Sequence, residues 1–359
     1  VSEPFQFLRF CFEWSTFRQH GFGYVCRMPI PVDATCSGLQ HYSAMLRDEV
    51  GGRSVNLVPG LSRQDIYGDV AKRTTERMTV ELDSTGYADE AKTLLAADAA
   101  KGWLEFGVNR KMTKRQVMVV PYAGTFNSCM EYTREAVLEI VKQGYPISFP
   151  TTDAEFNKRS VHLSKHIWGS IDEIVVKGKE AMKWLTVVAT TYSHYINNSV
   201  AKDTPVFDRR MSWRTPDGFE VSHFKAKVKE MSTQTFLDGR LDLTYYVDQN
   251  ELDPKDMASS LAPSFVHSHD AAHLRITVNK ALDRGLRHFA MVHDSFGVHA
   301  SDMPVFLNEC IKPAFIEMYQ ANPLEAFKAG LPSGLEVSEL PEQGKLVLED
   351  VLESEFFFS

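Results

Sequence analysis

The sequence predicts an α+β fold that is mostly helical and carries a small antiparallel sheet. Residues 62–80, 89–119 and 170–200 read as helical, with Ala, Leu and Lys dominating 89–119. Between 205 and 250 the pattern changes to short alternating stretches around Pro216-Asp217-Gly218 and Asp238-Gly239, the turn chemistry of β-hairpins. Near the end, His288–Val292 and Phe296–Val298 bracket His293-Asp294-Ser295, which predicts strand, tight turn and strand with an aspartate at the tip.

In chain order, Phe5, Leu8 and Phe12 place a helix over 5–19, and the apolar, partly β-branched 24–33 a strand ending at Asp33. Gln40 to Asp48 is helical and is broken by Gly51-Gly52. Ser62 is the expected N-cap of a helix to about residue 80. Residues 89–119 are helix-rich and 170–200 form another long helix. There is no internal repeat.

The chain has 359 residues, 43% hydrophobic and 24% charged, enough for a large buried core and two or three domains. No apolar run reaches the roughly 18 residues of a membrane span, and no secretory signal opens the chain. Its five cysteines are odd in number and lack metal-type spacing, so they read as reduced thiols. The net charge of −8 speaks against an overall basic nucleic-acid-binding domain but leaves room for local basic patches. The chain opens on Val1, not Met, and reads as cut from something longer.

Chemistry concentrates in three segments. Asp33 follows a strand and Asp294 sits at a hairpin tip; carboxylates at strand ends can converge on hard divalent cations. Either one alone reads as a turn residue. Arg110, Lys114, Met118 and Tyr122 recur every four residues, with Arg115 beside Lys114, so they share one broad helix face. Cations along that face suit a polyphosphate, and Tyr122 a ring or a sugar.

Together these segments resemble the single-subunit, T-seven-like bacteriophage DNA-directed RNA polymerases, with mitochondrial RNA polymerases as more distant relatives. Asp33-Ala34-Thr35-Cys36-Ser37-Gly38-Leu39-Gln40-His41 is similar to the first palm motif, Arg110 to Tyr122 to the fingers helix motif, and His293-Asp294-Ser295-Phe296-Gly297 to the last palm motif. Residues 43–53, Phe265-Val266-His267-Ser268 and the terminal Leu352–Ser359 also match. The family usually has Gly after the fingers tyrosine, where this chain has Ala123. Pro121 before the tyrosine should bend the helix.

The resemblance implies a right-hand polymerase architecture. It places palm at 1–49, fingers at 50–267 with a promoter-specificity hairpin near 220–250, and palm with a C-terminal foot at 268–359. The N-terminal domain and thumb would be absent, and this portion alone inactive. It implies transcription by two-metal nucleotidyl transfer, with two Mg²⁺ held by Asp33, Asp294 and the Ala34 carbonyl, and Asp33, Lys114, Tyr122 and Asp294 as catalytic residues. Arg110, Lys114 and Arg115 would take phosphates, while Tyr122, His267 and the space at Gly38 would read the ribose. Tyr67 would lie near the template base or in the core. Ser232, Gln234, Asp242 and Thr244 would face promoter DNA. The implied partners are DNA template and promoter, RNA product and ribonucleoside triphosphates, with no membrane. The implied state is a monomer when full length, in the cytoplasm of an infected bacterium.

Three rival readings share some of these residues. Gly38, where related DNA polymerases carry a bulky Glu, and Ser295 after the last Asp speak against a DNA polymerase. The cationic helix speaks against a two-metal nuclease. A non-catalytic nucleic-acid-binding fragment is the third.

Overall fold

The computed structural model describes residues 4–83, 90–149, 153–236 and 239–359. Helix α1 (Pro4–His20) leads to β1 (Pro29–Asp33), then α2 (Ser37–Met45) and α3 (Glu49–Ser54). A helical block follows: α4 (Ile66–Asp83), α5 (Glu90–Phe106), α6 (Arg110–Val119), α7 (Phe126–Lys142), α8 (Asp153–Ile174) and α9 (Val176–Ser199). Two hairpins come next, β2 (Met211–Arg214) with β3 (Glu220–His223), and β4 (Ala226–Thr235) with β5 (Leu241–Leu252). The long α10 (Pro254–Asp283) precedes β6 (Ala290–Val292) and β7 (Ser295–His299), and short helices fill much of the remainder.

The mostly helical α+β expectation holds, and the small sheet is indeed assembled from distant segments in the antiparallel order β1-β7-β6. Its register sets Asp33 opposite Ser295, one residue from the hairpin tip. The Ala34 amide donates to the Asp294 carbonyl at 3.3 Å, tying the two motifs together. The chain's last residues lie along the same edge: the Ser359 amide donates to the Asp33 carbonyl at 3.1 Å.

Several boundaries differ from expectation. The first strand begins at Pro29, not 24. Helix α2 starts at Ser37, after Cys36 turns the chain with φ 57°, and every one of its residues is buried. Gly51-Gly52 do not break a helix but lie inside α3, which Asp48 caps by accepting from the Val50 and Gly51 amides. A Cβ on Gly51 would stand 2.4 Å from the Asp48 carboxylate, so glycine is required for this close cap. Ser62 is not a cap, because α4 starts only at Ile66. The 89–119 stretch is two helices separated at Gly107 (φ +84°), and Asn109 caps the second. The 170–200 stretch is also split, between Ile174 and Val176. In the turn expected at Asp238-Gly239, Asp238 lies outside the described residues, whereas Gly239 has φ +98°. All five cysteines are free.

Helix α10 carries much of the core. It packs on α2 and α9 and presents His273 to Phe296, Phe315, Phe357 and Phe358. No helix among the described residues is long and apolar enough to cross a membrane.

Candidate active site

A cavity of about 400 Å³ opens where β1, the β6–β7 tip, the start of α4 and one face of α6 meet. Asp33, Ala34 and Asp294 form one wall, and Arg110, Lys114 and Met118 line another. Burial and the neighbouring carboxylates of Asp270 and Asp33 push the Asp294 carboxyl above its ordinary range. Opposite, the Arg110 Nε donates to Asp65 at 2.7 Å, and its guanidinium lies 5.0 Å from the Tyr67 ring centroid. Helix α6 is fixed to α4 by the Thr113 hydroxyl, which donates to the Tyr67 carbonyl at 2.7 Å.

The spacing of four therefore brings Arg110, Lys114 and Met118 to one cavity. Arg115 does not join them. Its guanidinium stacks over Tyr132 at 3.9 Å and pairs with Glu135 at 2.5 Å, both on α7. One residue turns an α-helix by about 100°, which carries Arg115 off the cavity face.

Tyr122 stands apart from that wall. Helix α6 ends at Val119, Val120–Tyr122 tighten into a 3₁₀ turn at Pro121, and Ala123 takes the left-handed conformation (φ 61°, ψ 33°). The bend expected from Pro121 is present. It delivers the Tyr122 ring onto His267 of α10, with centroids 4.4 Å apart. The Tyr122 and Ser37 hydroxyls are 3.4 Å apart. Burial raises the Tyr122 phenol above its ordinary range and lowers the His267 imidazole below its own.

Gly38 does not leave open space. A Cβ there would stand 2.7 Å from Cβ and Cγ of Pro121 and 3.1 Å from the Tyr122 hydroxyl. The absent side chain instead admits the bent Pro121–Tyr122 segment, a contact set by tertiary packing. Burial pushes the Cys36 thiol, beside the acidic wall, up to about 12, which keeps it protonated and weakly nucleophilic.

Sequence reasoning passed over four contributors. Arg63 and Gln64 line the cavity. Asn56, at φ 62°, holds their loop: its Nδ2 donates to Thr35 Oγ1 and to the Gln64 carbonyl, both at 3.0 Å. Asp270 of α10 is a third carboxylate near the acidic wall. Burial would raise it, but the hydrogen bond and charge of His41 outweigh that and hold it below the usual range. His41 joins Asp270 (3.3 Å) to the buried Tyr319 hydroxyl (2.6 Å). Only Asn56, as a turn-type residue, carried any local signal.

Ser232, Gln234, Asp242 and Thr244 lie on the exposed β4–β5 hairpin, away from the cavity. Ser232 pairs with Thr244 and Gln234 with Asp242, so all four project from one face.

Residues 1–333 match the family model for DNA-dependent RNA polymerase. The chain is 35% identical to T7 RNA polymerase of Escherichia phage T7 over 99% of its own length and 43% of that protein's. It is 33% identical to the DNA-directed RNA polymerase of Pseudomonas phage phiKMV, over 94% of the chain and 38% of the relative. It is 29% identical to the mitochondrial DNA-directed RNA polymerase 1 of Arabidopsis thaliana, over 100% of the chain and 34% of the relative. The chain thus spans less than half the length of these three relatives.

Proposed function

The chain belongs to the DNA-dependent RNA polymerase family, and from that premise we propose that it is the palm-and-fingers part of a single-subunit DNA-directed RNA polymerase. The parent protein joins ribonucleoside triphosphates on a DNA template and releases pyrophosphate. The observation that carries this reading is one cavity with paired carboxylates, Asp33 and Asp294, on one wall and Arg110 and Lys114 on the other. Palm comprises 1–49 and 268–359 and fingers 50–267, with α10 running unbroken across the second boundary. The parent works as a monomer in the cytoplasm of an infected bacterium.

Two Mg²⁺ ions suit the acidic wall, because the Asp33 and Asp294 carboxylates and the Ala34 carbonyl are hard oxygen donors and the two carboxylates crowd each other. When bound, Mg²⁺ supplies charge that eases ionisation of an RNA 3′-hydroxyl and offsets charge on the departing pyrophosphate. The chain's own groups position the substrate, which is most of what phosphoryl transfer requires of a protein. Lys114, with no ion pair among the described residues, supplies a point charge to the triphosphate. Arg110, already oriented by Asp65, supplies a planar fork. Arg63 adds a third cation to the same cavity. Arg115 supports this site only if it leaves Glu135. Tyr122 and His267 read the ribose, Gly38 lets Tyr122 approach, and Tyr67 borders the template base. Ser232, Gln234, Asp242 and Thr244 meet promoter DNA.

The test is incorporation of labelled ribonucleotides on a primed template by the full-length parent. Asp33→Asn and Asp294→Asn should each abolish addition while leaving promoter binding intact. Near-normal extension by either variant would overturn the assignment.

A further inference from the structure

Away from the cavity, three ligand-type side chains converge between α4 and α8. His162 and His166 lie one turn apart on α8, so their rings share a face. The His162 Nε2 is 2.8 Å from Oε2 of Glu81, near the end of α4, and the His166 Nε2 is 3.0 Å from the same oxygen. One ligand atom from each residue lies within 4.8 Å of the others. We propose that Glu81, His162 and His166 form a binding site for a divalent transition-metal ion of the zinc class, which ties α4 to α8.

The donor set selects the ion. Two imidazoles and one carboxylate suit zinc, whereas magnesium favours oxygen alone. A tetrahedral ion with bonds of about 2.0–2.1 Å needs its ligand atoms roughly 3.3–3.4 Å apart. The two contacts to Glu81, at 2.8 and 3.0 Å, reach that spacing by a small opening, and the two imidazoles offer ligand atoms within 4.8 Å of each other. They are 15%, 12% and 20% exposed for His162, His166 and Glu81, so an ion can enter and a water can complete the coordination. Neither Nδ1 has a hydrogen-bond partner among the described residues. No donor there pins the ring proton on Nε2, and it can move to Nδ1 when Nε2 takes the metal. The same lack of a supporting acceptor on Nδ1 points to weaker binding than in a site with such partners, which contribute roughly 10–100-fold. Arg77, one turn earlier on α4, is paired with Glu173.

The site has a structural consequence. Helix α4 carries Tyr67 at its opposite end, beside the cavity. A metal bridge at Glu81 would hold the helix that positions this residue without touching substrate.

The test is calorimetric titration of the 359-residue chain with Zn²⁺ in excess Mg²⁺, which keeps the acidic wall occupied. One equivalent should bind, and His162→Gln and His166→Gln should each weaken it at least tenfold, with circular dichroism reporting that the fold is kept. Absence of Zn²⁺ binding, or binding that survives both substitutions, would overturn the proposal. So would binding lost only in Asp33→Asn. Should the histidine variants fail to fold, Co²⁺ added to the unsubstituted chain decides: intense tetrahedral visible bands support the site, and weak octahedral bands overturn it.

Discussion

The Tyr122 ring lies flat against the His267 ring, with centroids 4.4 Å apart and planes 20° from parallel. The two residues come from the Val120–Tyr122 turn and from α10. Gly38 of α2 completes the contact, because a Cβ there would stand 3.1 Å from the Tyr122 hydroxyl. Three distant segments therefore hold one phenol at the edge of the site. In the proposed enzyme, that hydroxyl loses a partner when the substrate lacks its 2′-hydroxyl and keeps only the longer contact to the Ser37 hydroxyl at 3.4 Å. Tyr122→Phe removes the hydroxyl and keeps the stack. We predict that the ratio of ribonucleotide to deoxynucleotide efficiency falls roughly tenfold, the worth of one hydrogen bond, with ribonucleotide addition largely kept. Single-nucleotide extension in the full-length parent measures it, and an unchanged ratio would assign the hydroxyl a packing role only.

Ala123 follows directly, at φ 61° and ψ 33°, a region that costs an L-residue about 1–2 kcal/mol. Ala123→Gly relieves that strain and restores the residue usual in the family. Part of the gain is offset by the greater freedom of glycine in the unfolded chain. The expected net is a stabilisation of about 0.5–1 kcal/mol, read from urea midpoints at constant m-value. A lower midpoint would mean that the Ala123 methyl makes a contact that outweighs the strain.

Legibility in the sequence tracked how local each signal was. Asp33 and Asp294 could be placed because strand ends and tight turns are written in adjacent residues, and β1–β7 pairing then joined them. Arg110, Lys114 and Met118 were readable because helix periodicity is local. Arg115 was misplaced because adjacency in sequence is not adjacency on a helix. Asp270 gave no sign, since its meaning depends on His41, 229 residues away. The Glu81 cluster was equally silent, joining α4 to α8 across 81 residues. Gly38 showed that a missing side chain in sequence can be a filled contact in the fold.

Stability should fall in mild acid through three buried histidines. Burial lowers His223, His269 and His273 each to about 4. Unfolded, each titrates near about 6.5. Above that value both states are neutral; as pH drops toward 4, the unfolded chain gains protons that the folded chain refuses. The stabilisation is therefore present above about 6.5 and is lost on descending to 4, by up to about 1.4 kcal/mol per pH unit for each histidine. Urea midpoints measured from pH 7 to pH 5 should decline steadily. His223, whose Nε2 lies 3.1 Å from the Ser260 hydroxyl, allows a check. His223→Gln should flatten the decline, and an unaltered slope would remove His223 from the account.

The last prediction concerns the β4–β5 hairpin. Gln234 stands opposite Asp242 and Ser232 opposite Thr244, so one polar, exposed face presents four hydrogen-bonding side chains. The opposite face carries Met231, Leu243 and Tyr245, so a slip of one residue would exchange the two. In the major groove, such side chains can each meet a different base edge, and a good bidentate contact contributes about 1–3 kcal/mol of discrimination. In the proposed enzyme, Gln234 would be the strongest reader, because its amide donates and accepts at once. Asp242 is repelled by phosphates, but Arg240 lies 3.7 Å away and moderates its charge. Gln234→Ala in the full-length parent should alter promoter preference at one or two positions and leave elongation on a primed template unchanged. Phosphate contacts would instead weaken binding to every sequence alike. Transcription from a library of promoter variants separates the two: a change confined to particular positions supports base reading, while a uniform loss or no change would place Gln234 outside the reading face.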